Sequence, residues 1–261
     1  MHKILFPEAT NDYIKIAATE LAERGICEPI LEESDMATAG QKVANGLADA
    51  MVAGVDYSSR DVILACRDQI GVAGQIDPAE KKTFSSLFVA DFPDDRRYII
   101  SDGATCKNPT AEQLADIVIL VNEAATKILD NTPRIAMLSF STFGSGGKDS
   151  SMDKIAEAIK IVRMRRPEIL IDGEMQLDAA VNERIGKKKA LKDSQVAGRA
   201  SVLITPDINS GNILYKSLEQ FAGAKLAGPI LLGFKRPVSD LSRGSTPEDI
   251  VFTTECLVKL I

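Results

Sequence analysis

Ser242, Arg243, Gly244, Thr246, Pro247 and Asp249 follow one another within the segment Asp240 to Ile250. Together they bring a hydroxyl, a guanidinium, a helix start and a carboxylate into one stretch of chain, a set suited to group transfer on an anionic substrate. Arg243 can grip a phosphate through two N–H donors at once, Gly244 lets the backbone approach closely, and Thr246-Pro247 opens a helix whose free N–H groups favour anions. The same residues have a purely structural reading, because Thr246-x-x-Asp249 also fits a capping box in which the carboxylate only caps the helix.

Other segments carry chemistry with a structural alternative beside it. Ser141-Thr142-x-Gly144-Ser145-Gly146-Gly147 follows an apolar run and precedes a helical one, as a phosphate-holding loop does, or it is a flexible strand-to-helix turn. It lacks the Lys-[Ser/Thr] ending of a Walker A loop, which disfavours nucleotide hydrolysis. Gly211-Asn212 is expected to open a helix after the Pro206-Asp207 turn, with Asn212 donating to substrate or capping. Asp172, Glu174 and Asp178 form a pattern that either holds magnesium or makes structural hydrogen bonds. Cys106 has no base near it in sequence, which favours a buried inert thiol over a nucleophile.

Composition narrows the classes. The only histidine is His2, so Ser-His-Asp and Cys-His chemistry are poorly supported and a general base must be a carboxylate, lysine or tyrosine. Cys27, Cys66, Cys106 and Cys256 are scattered with no C-x-x-C pair, which argues against a zinc site or a disulfide framework, and no metal is expected. The net charge is -6, from 31 basic and 37 acidic residues mixed along the chain, which disfavours nucleic acid as a partner. The one basic cluster, Lys187-Lys188-Lys189, reads as a solvated loop or as a local patch for a polyphosphate such as coenzyme A. No apolar run is long enough to span a bilayer, and the start Met1 to Pro7 meets Pro and Glu too early for a secretory signal, so a cytoplasmic protein with no membrane association is expected.

Short apolar runs bounded by turn residues alternate with helical periodicity over the 261 residues, an α/β pattern with enough hydrophobic residues, 45%, for a sizeable core. Strands are expected at 3–6, 29–31, 50–53, 98–101, 134–139, 169–172, 201–205 and 229–232. Helices are expected at 11–24, 59–70, 110–129, 153–163, 211–221 and 247–260. Composition shifts near Gly74 to Pro78 and near Lys235 to Pro237 mark hinges.

Ser139 to Ser145, Asp172 to Ala180, Pro206-Asp207 with Gly211-Asn212-Ile213, Gly228-Pro229-Ile230 and Asp240 to Gly244 occur in one order. In that order they resemble the phosphate acetyltransferase (phosphotransacetylase) family, which includes the phosphate butyryltransferases. The likeness runs from about Asp102 to the C-terminus, with a weaker match at Lys3 to Glu8 and Ala48 to Gly54. It implies two α/β domains with a cleft between them, in the isocitrate/isopropylmalate dehydrogenase-like architecture. Residues 1–76 and 237–261 would form one domain and 77–236 an inserted second, with the site at the cleft.

The resemblance also implies reversible transfer of an acetyl group between acetyl phosphate and coenzyme A. Coenzyme A is then a substrate, with no permanently bound cofactor, and the protein is a homodimer. A thiol of ordinary pKa about 8.5 must become a thiolate, the carbonyl oxygen must be stabilised, and the phosphate must be held. By resemblance Asp249 accepts the thiol proton, Arg243 binds phosphate and developing charge, and Ser242 hydrogen-bonds the carbonyl or phosphate. Ser141, Thr142, Gly144, Ser145, Gly211 and Asn212 are the expected substrate-binding residues. An aspartate of pKa about 3.9 is a weak base, so Asp249 would need partial burial. The resemblance makes Asp172, Glu174 and Asp178 scaffold and cleft-wall residues.

Two departures stand out. Ser245 lies where the family often has a cysteine, and the stretch from Glu33 to Ala48 is shorter than the family's, which carries a helical segment with basic residues there. Either part of the usual anion grip is missing or Arg60, Arg67 or Lys148 replaces it, with solvated helix arginines the structural reading of Arg60 and Arg67. A phosphate butyryl- or propionyltransferase differs only in acyl-pocket volume, and one methylene changes discrimination by only about 1–3 kcal/mol. A non-catalytic acyl-CoA or acyl-phosphate sensor is the reading from another class. A dehydrogenase lacks its G-x-G-x-x-G fingerprint here.

Overall fold

The structure is a computed structural model that describes residues 1–74, 82–189 and 193–261. Its strands, in chain order, are β1 (Lys3–Phe6), β2 (Glu28–Leu31), β3 (Ala50–Ala53), β4 (Ser85–Asp91), β5 (Arg97–Ser101), β6 (Arg134–Leu138), β7 (Leu170–Met175), β8 (Val202–Ile204), β9 (Lys225–Leu232) and β10 (Val238–Asp240). The helices are α1 (Asp12–Glu23), α2 (Met36–Ala44), α3 (Ser59–Ala65), α4 (Ala111–Leu129), α5 (Ser150–Arg165), α6 (Leu177–Val181), α7 (Glu183–Lys189), α8 (Ile208–Ala222) and α9 (Pro247–Val258), with a π-helical turn at Cys66–Ile70. The chain forms two compact units, Met1–Phe84 with Lys225–Ile261, and Ser85–Ala224. The α/β class expected from the sequence holds.

In the first unit the strand order is β2-β1-β3-β10-β9. The first four are parallel, and β9 runs antiparallel to β10. Ile4, Leu5 and Phe6 of β1 and all of β3 are buried, the continuous apolar runs that parallel strands show when both faces are covered. Met51, Val62, Ile70, Leu231, Phe234 and Val238 belong to one core cluster. Lys235-Arg236-Pro237 links β9 to β10. Of the other expected hinge, Gly74 to Pro78, residues 75–78 lie outside the described residues.

In the second unit the order is β4-β5-β8-β6-β7, with β4 antiparallel to β5 and the others parallel. Ile99, Ile100, Ile135, Val202 and Leu203 form the buried faces, and Leu114, Ile117, Val118 and Val121 line one side of α4. Helix starts are chemically explicit. Asn11, Asp35, Ser58, Asp149 and Asp207 each accept a backbone N–H at the start of their helix, and Thr110 with Gln113 and Thr246 with Asp249 make full capping boxes. In both units the turns that matter for function follow the carboxyl ends of parallel strands, where ligand sites of α/β sheets form.

The structure corrects several expectations. The helix expected over 59–70 stops at Ala65 and continues as the π-helical turn, closed by the Gly71 N–H on the Cys66 carbonyl at 2.8 Å. The lysines at 187–189 lie on α7 and not in a loop, with Lys187 paired to Glu183 at 2.6 Å and Lys189 to Asp178 at 2.8 Å. Helix α8 starts at Ile208, because Asp207 caps it by accepting the Ser210 N–H at 2.9 Å, so Gly211 lies inside the helix and does not open it.

Gly211 is required by contact. A Cβ there would collide with the Asp102 carbonyl oxygen and lie 2.8 Å from Thr205 Oγ1. Gly211→Ala is therefore expected to destabilise the protein by about 1–3 kcal/mol through overpacking, read as a lower urea midpoint. An unchanged midpoint would show that α8 can shift away from Asp102 at no cost.

Candidate active site

In the first unit, Ser242, Arg243 and Gly244 are exposed on the turn between β10 and α9. The turn is closed by the Ser245 N–H on the Ser242 carbonyl at 2.9 Å, and Ser242 Oγ accepts a long bond from the Gly244 N–H at 3.4 Å. Arg243 has no ion-pair or hydrogen-bond partner among the described residues. Asp249 caps α9, its Oδ2 accepting from the Thr246 N–H at 2.9 Å and the Thr246 hydroxyl at 3.0 Å, so the capping box is real. Its Oδ1 has no partner among the described residues and the residue is only half-buried, which leaves one oxygen available as an acceptor.

Behind this turn, at the carboxyl ends of β1, β3 and β10, are two buried acids that sequence reasoning did not assign a role. Glu8 accepts from the backbone N–H groups of Gly54 at 2.9 Å, Asp56 at 2.5 Å and Tyr57 at 3.2 Å. Burial raises its pKa, with those three donors pulling the other way and the charge of Asp56 adding to the rise. Asp240 is 1% exposed, and neither carboxyl oxygen meets a hydrogen bond of normal geometry among the described residues; the Ser59 hydroxyl is the one side-chain donor close enough to favour its ionised form. Burial pushes its pKa up to about 6, opposed by the Ser59 hydroxyl and reinforced by Glu8. The signal available in the sequence was position alone: each acid stands just after an apolar strand.

In the second unit, Ser141, Thr142, Gly144 and Ser145 come together in the turn after β6. Their donors point inward. Glu174 Oε1 accepts from Ser141 Oγ at 2.9 Å and the Gly144 N–H at 2.7 Å, while the Phe143 N–H bonds the Glu174 carbonyl at 2.9 Å. Ser141 Oγ accepts the Gly146 N–H at 2.9 Å, and Ser145 Oγ accepts the Thr142 N–H at 2.9 Å. In this arrangement the loop expected to hold phosphate holds a carboxylate of its own chain. Asp172 and Asp178 are separately engaged by Arg163 at 3.6 Å and Lys189 at 2.8 Å, so the three acids of that segment have three different partners.

Asn212 neither caps nor stands free; its Nδ2 donates to the Gly103 carbonyl at 3.4 Å and to Tyr215 Oη at 3.2 Å. Tyr215 stacks on Phe88 with ring centroids 3.8 Å apart. Beside them Asp102, 3% exposed, accepts the N–H groups of Ala104 at 3.0 Å, Thr105 at 3.2 Å and Cys106 at 2.7 Å, together with the hydroxyls of Ser86 and Thr105. Burial, then the charge of Asp102, raises the Cys106 pKa against the pull of Lys154, which keeps it a thiol and supports the inert reading. A pocket of about 520 Å³ opens at the ends of β6 and β8, lined among others by Ser139, Phe140, Lys154, Leu177, Asp207 and Leu214. Lys154 Nζ is held there by the Pro206 carbonyl at 2.9 Å.

The family model described as phosphate acetyl/butaryl transferase matches residues 32–257. The chain belongs to this family. A phosphate acetyltransferase of Clostridium acetobutylicum is 42% identical over 212 residues, which cover 79% of this chain and 62% of that protein. One of Treponema pallidum is 41% identical over 230 residues, covering 85% of this chain and 66% of its own length. The chain thus spans less than two thirds of the length of these curated relatives. A solved phosphotransacetylase from Streptococcus pyogenes superposes with a TM-score of 0.84 at 32% identity, over 99% of this chain and 93% of that one.

The stretch that reads as short, Glu33 to Ala48, holds α2, whose Lys42 is paired with Glu32. Arg67 is paired with Asp68 through two bonds of 2.6 and 3.0 Å, which removes it as a replacement anion grip, whereas Arg60 and Lys148 are exposed without a partner among the described residues. No helix among the described residues is long and apolar enough to cross a membrane.

Asp240 makes a stability prediction whose sign follows from its raised pKa. The folded state holds its proton up to about pH 6, the unfolded chain only to about pH 4. Folding therefore binds a proton between those values, and stability falls as pH rises through that window. Asp240→Asn should stabilise the protein by up to about 3 kcal/mol above pH 6 and give no gain below pH 4, measured by urea unfolding at both pH values. An equal gain at both would remove ionisation as the cause.

Proposed function

We propose that the chain catalyses reversible transfer of an acetyl group between acetyl phosphate and coenzyme A. The observation that carries this reading is the exposed Arg243, unpaired among the described residues, beside Ser242 on a turn that ends at a carboxylate with one oxygen available, in a chain of this family. In the synthetic direction the coenzyme A thiol gives its proton to Asp249 Oδ1, and the sulfur attacks the carbonyl carbon of acetyl phosphate. The bond from that carbon to the bridging phosphate oxygen then breaks, and inorganic phosphate leaves. Arg243 holds the phosphate through paired N–H donors, where a charge-assisted contact is strong, and Ser242 Oγ–H hydrogen-bonds the carbonyl or phosphate oxygen as charge develops. The capping bonds to Asp249 Oδ2 fix the direction of Oδ1, so capping and proton transfer use different oxygens of one residue.

Coenzyme A enters as a substrate, and the chemistry calls on no resident cofactor. Acetyl is the favoured acyl group because the curated relatives described above are both named phosphate acetyltransferase. The reading carries with it a homodimer working in the cytoplasm, and sites for substrate on the second unit at Ser141 to Ser145 and at Asn212. Because the loop at Ser141 is braced by Glu174, that part of the reading requires the substrate to meet its outer surface or to displace the carboxylate.

The test is thioester formation from coenzyme A with acetyl, propionyl and butyryl phosphate. Acetyl phosphate is expected to be turned over fastest, Arg243→Ala to lower kcat/KM on the order of 10- to 100-fold, and Asp249→Asn to abolish most turnover. Folded protein that binds coenzyme A yet turns over none of the three would instead be a sensor of these ligands.

A further inference from the structure

Buried or half-buried carboxylates hold the turns at the strand ends of both units. Glu8 takes the N–H groups of Gly54, Asp56 and Tyr57; Asp102 takes those of Ala104, Thr105 and Cys106; Glu174 takes that of Gly144. Asp240 breaks the pattern. It ends β10 opposite Ala53, is 1% exposed, and its oxygens meet no backbone N–H and no hydrogen bond of normal geometry among the described residues, with the Ser59 hydroxyl the one donor nearby. Two and three residues further on, the N–H groups of Ser242 and Arg243 have no acceptor among the described residues. An orphaned acceptor thus stands two residues before an orphaned donor, the spacing at which an aspartate side chain accepts from its own backbone in an Asx turn.

The chain between them is locked on one side only. The Leu241 N–H bonds the Ala53 carbonyl at 2.6 Å, and a Cβ on Gly54, whose φ is +119°, would lie 2.6 Å from Leu241 N and 2.9 Å from Asp240 Oδ1. Asp240 and Leu241 therefore have no room to move, whereas Ser242, Arg243 and Gly244 are exposed. A buried acceptor left unmet costs free energy that a closing turn would recover.

We infer that Asp240 is a positioning residue for the phosphate grip: its carboxyl accepts the Ser242 N–H when the turn takes up a phosphate group, and this aims the Arg243 guanidinium at the anion. The inference rests on the phosphotransacylation reading given above. The groups that act on Asp240 are Glu8 from the turn after β1, which disfavours its ionised form and is itself acted on by Asp56 after β3, the Ser59 hydroxyl at the start of α3, which favours that form, and the Cys66 thiol of the π-helical turn. The ionised carboxylate is the stronger acceptor, so positioning improves as pH rises through about 6.

The deciding experiment measures kcat and KM for acetyl phosphate and for coenzyme A from about pH 5 to 8, in the natural protein and in Asp240→Asn, with unfolding followed in parallel. The expected result is an Asn variant at least as stable at pH 7.5 whose kcat/KM for acetyl phosphate is about tenfold lower there, with KM for coenzyme A unchanged and the deficit shrinking below pH 6. A purely structural residue would lose stability and activity together at every pH, and that outcome overturns the inference. Turnover equal to that of the natural protein overturns it too while leaving the proposed function standing; a natural protein without turnover removes both. Should the variant fail to fold, amide exchange at Ser242 in the natural protein decides: inorganic phosphate is expected to slow it severalfold, and an unchanged rate overturns the inference.

Discussion

A backbone N–H taken out of water must find an acceptor, and at the carboxyl end of a parallel strand the ladder no longer supplies one. In this protein the acceptors are carboxylates from neighbouring strand ends. Glu8 gathers three N–H groups and Asp102 gathers three together with two hydroxyls, each from a position almost wholly shielded from solvent. These acids fix turns that have no regular secondary structure of their own. The elements behind them, β1, β3 and β10 in one unit and β5, β6 and β8 in the other, are apolar strands that bring the acids of each unit to its own strand ends.

The same economy of acceptors separates the guanidinium groups. Arg24, Arg97 and Arg166 are engaged by carboxylates, as expected in a chain with 37 acidic residues against 31 basic ones. Arg243 is different because none of the acids near it in sequence pairs with it among the described residues: Asp240 is buried beneath the turn, Glu248 is exposed, and Asp249 is held by Thr246. Its positive charge is left for something other than its own chain, while Gly244 keeps the approach open.

Much of this was legible in the residues. The parallel strands announced themselves as short apolar runs, and Asn108-Pro109, Ser150-Ser151 and Thr246-Pro247 gave helix starts to within a few positions. What escaped has physical reasons. Strand β4, which was not expected, begins with the polar pair Ser85-Ser86; both are buried, Ser85 meeting Ser101 and Ser86 meeting Asp102. Strand β10 is three residues long, and α2 is short, with a buried face of Met36, Ala39, Gly40 and Val43 in which the middle two residues are small. At the site, Ser242, Arg243 and Asp249 could be named from spacing, but Glu8 and Asp240 could not, since a carboxylate's burial depends on strands distant in sequence. The loop at Ser141 had the composition of an anion cradle, and its carboxylate came from Glu174, 33 residues away.

The stack of Tyr215 on Phe88 has an optical consequence. The chain has no tryptophan and four tyrosines, so tyrosine emission is not drained by energy transfer to an indole. Tyr215 is the tyrosine whose phenol is bonded to Asn212 and whose ring lies flat against a second aromatic at 3.8 Å. Any rearrangement of α8 against β4 alters that ring's surroundings, and the protein thereby carries a native fluorophore on the very helix that Gly211 seats against Asp102.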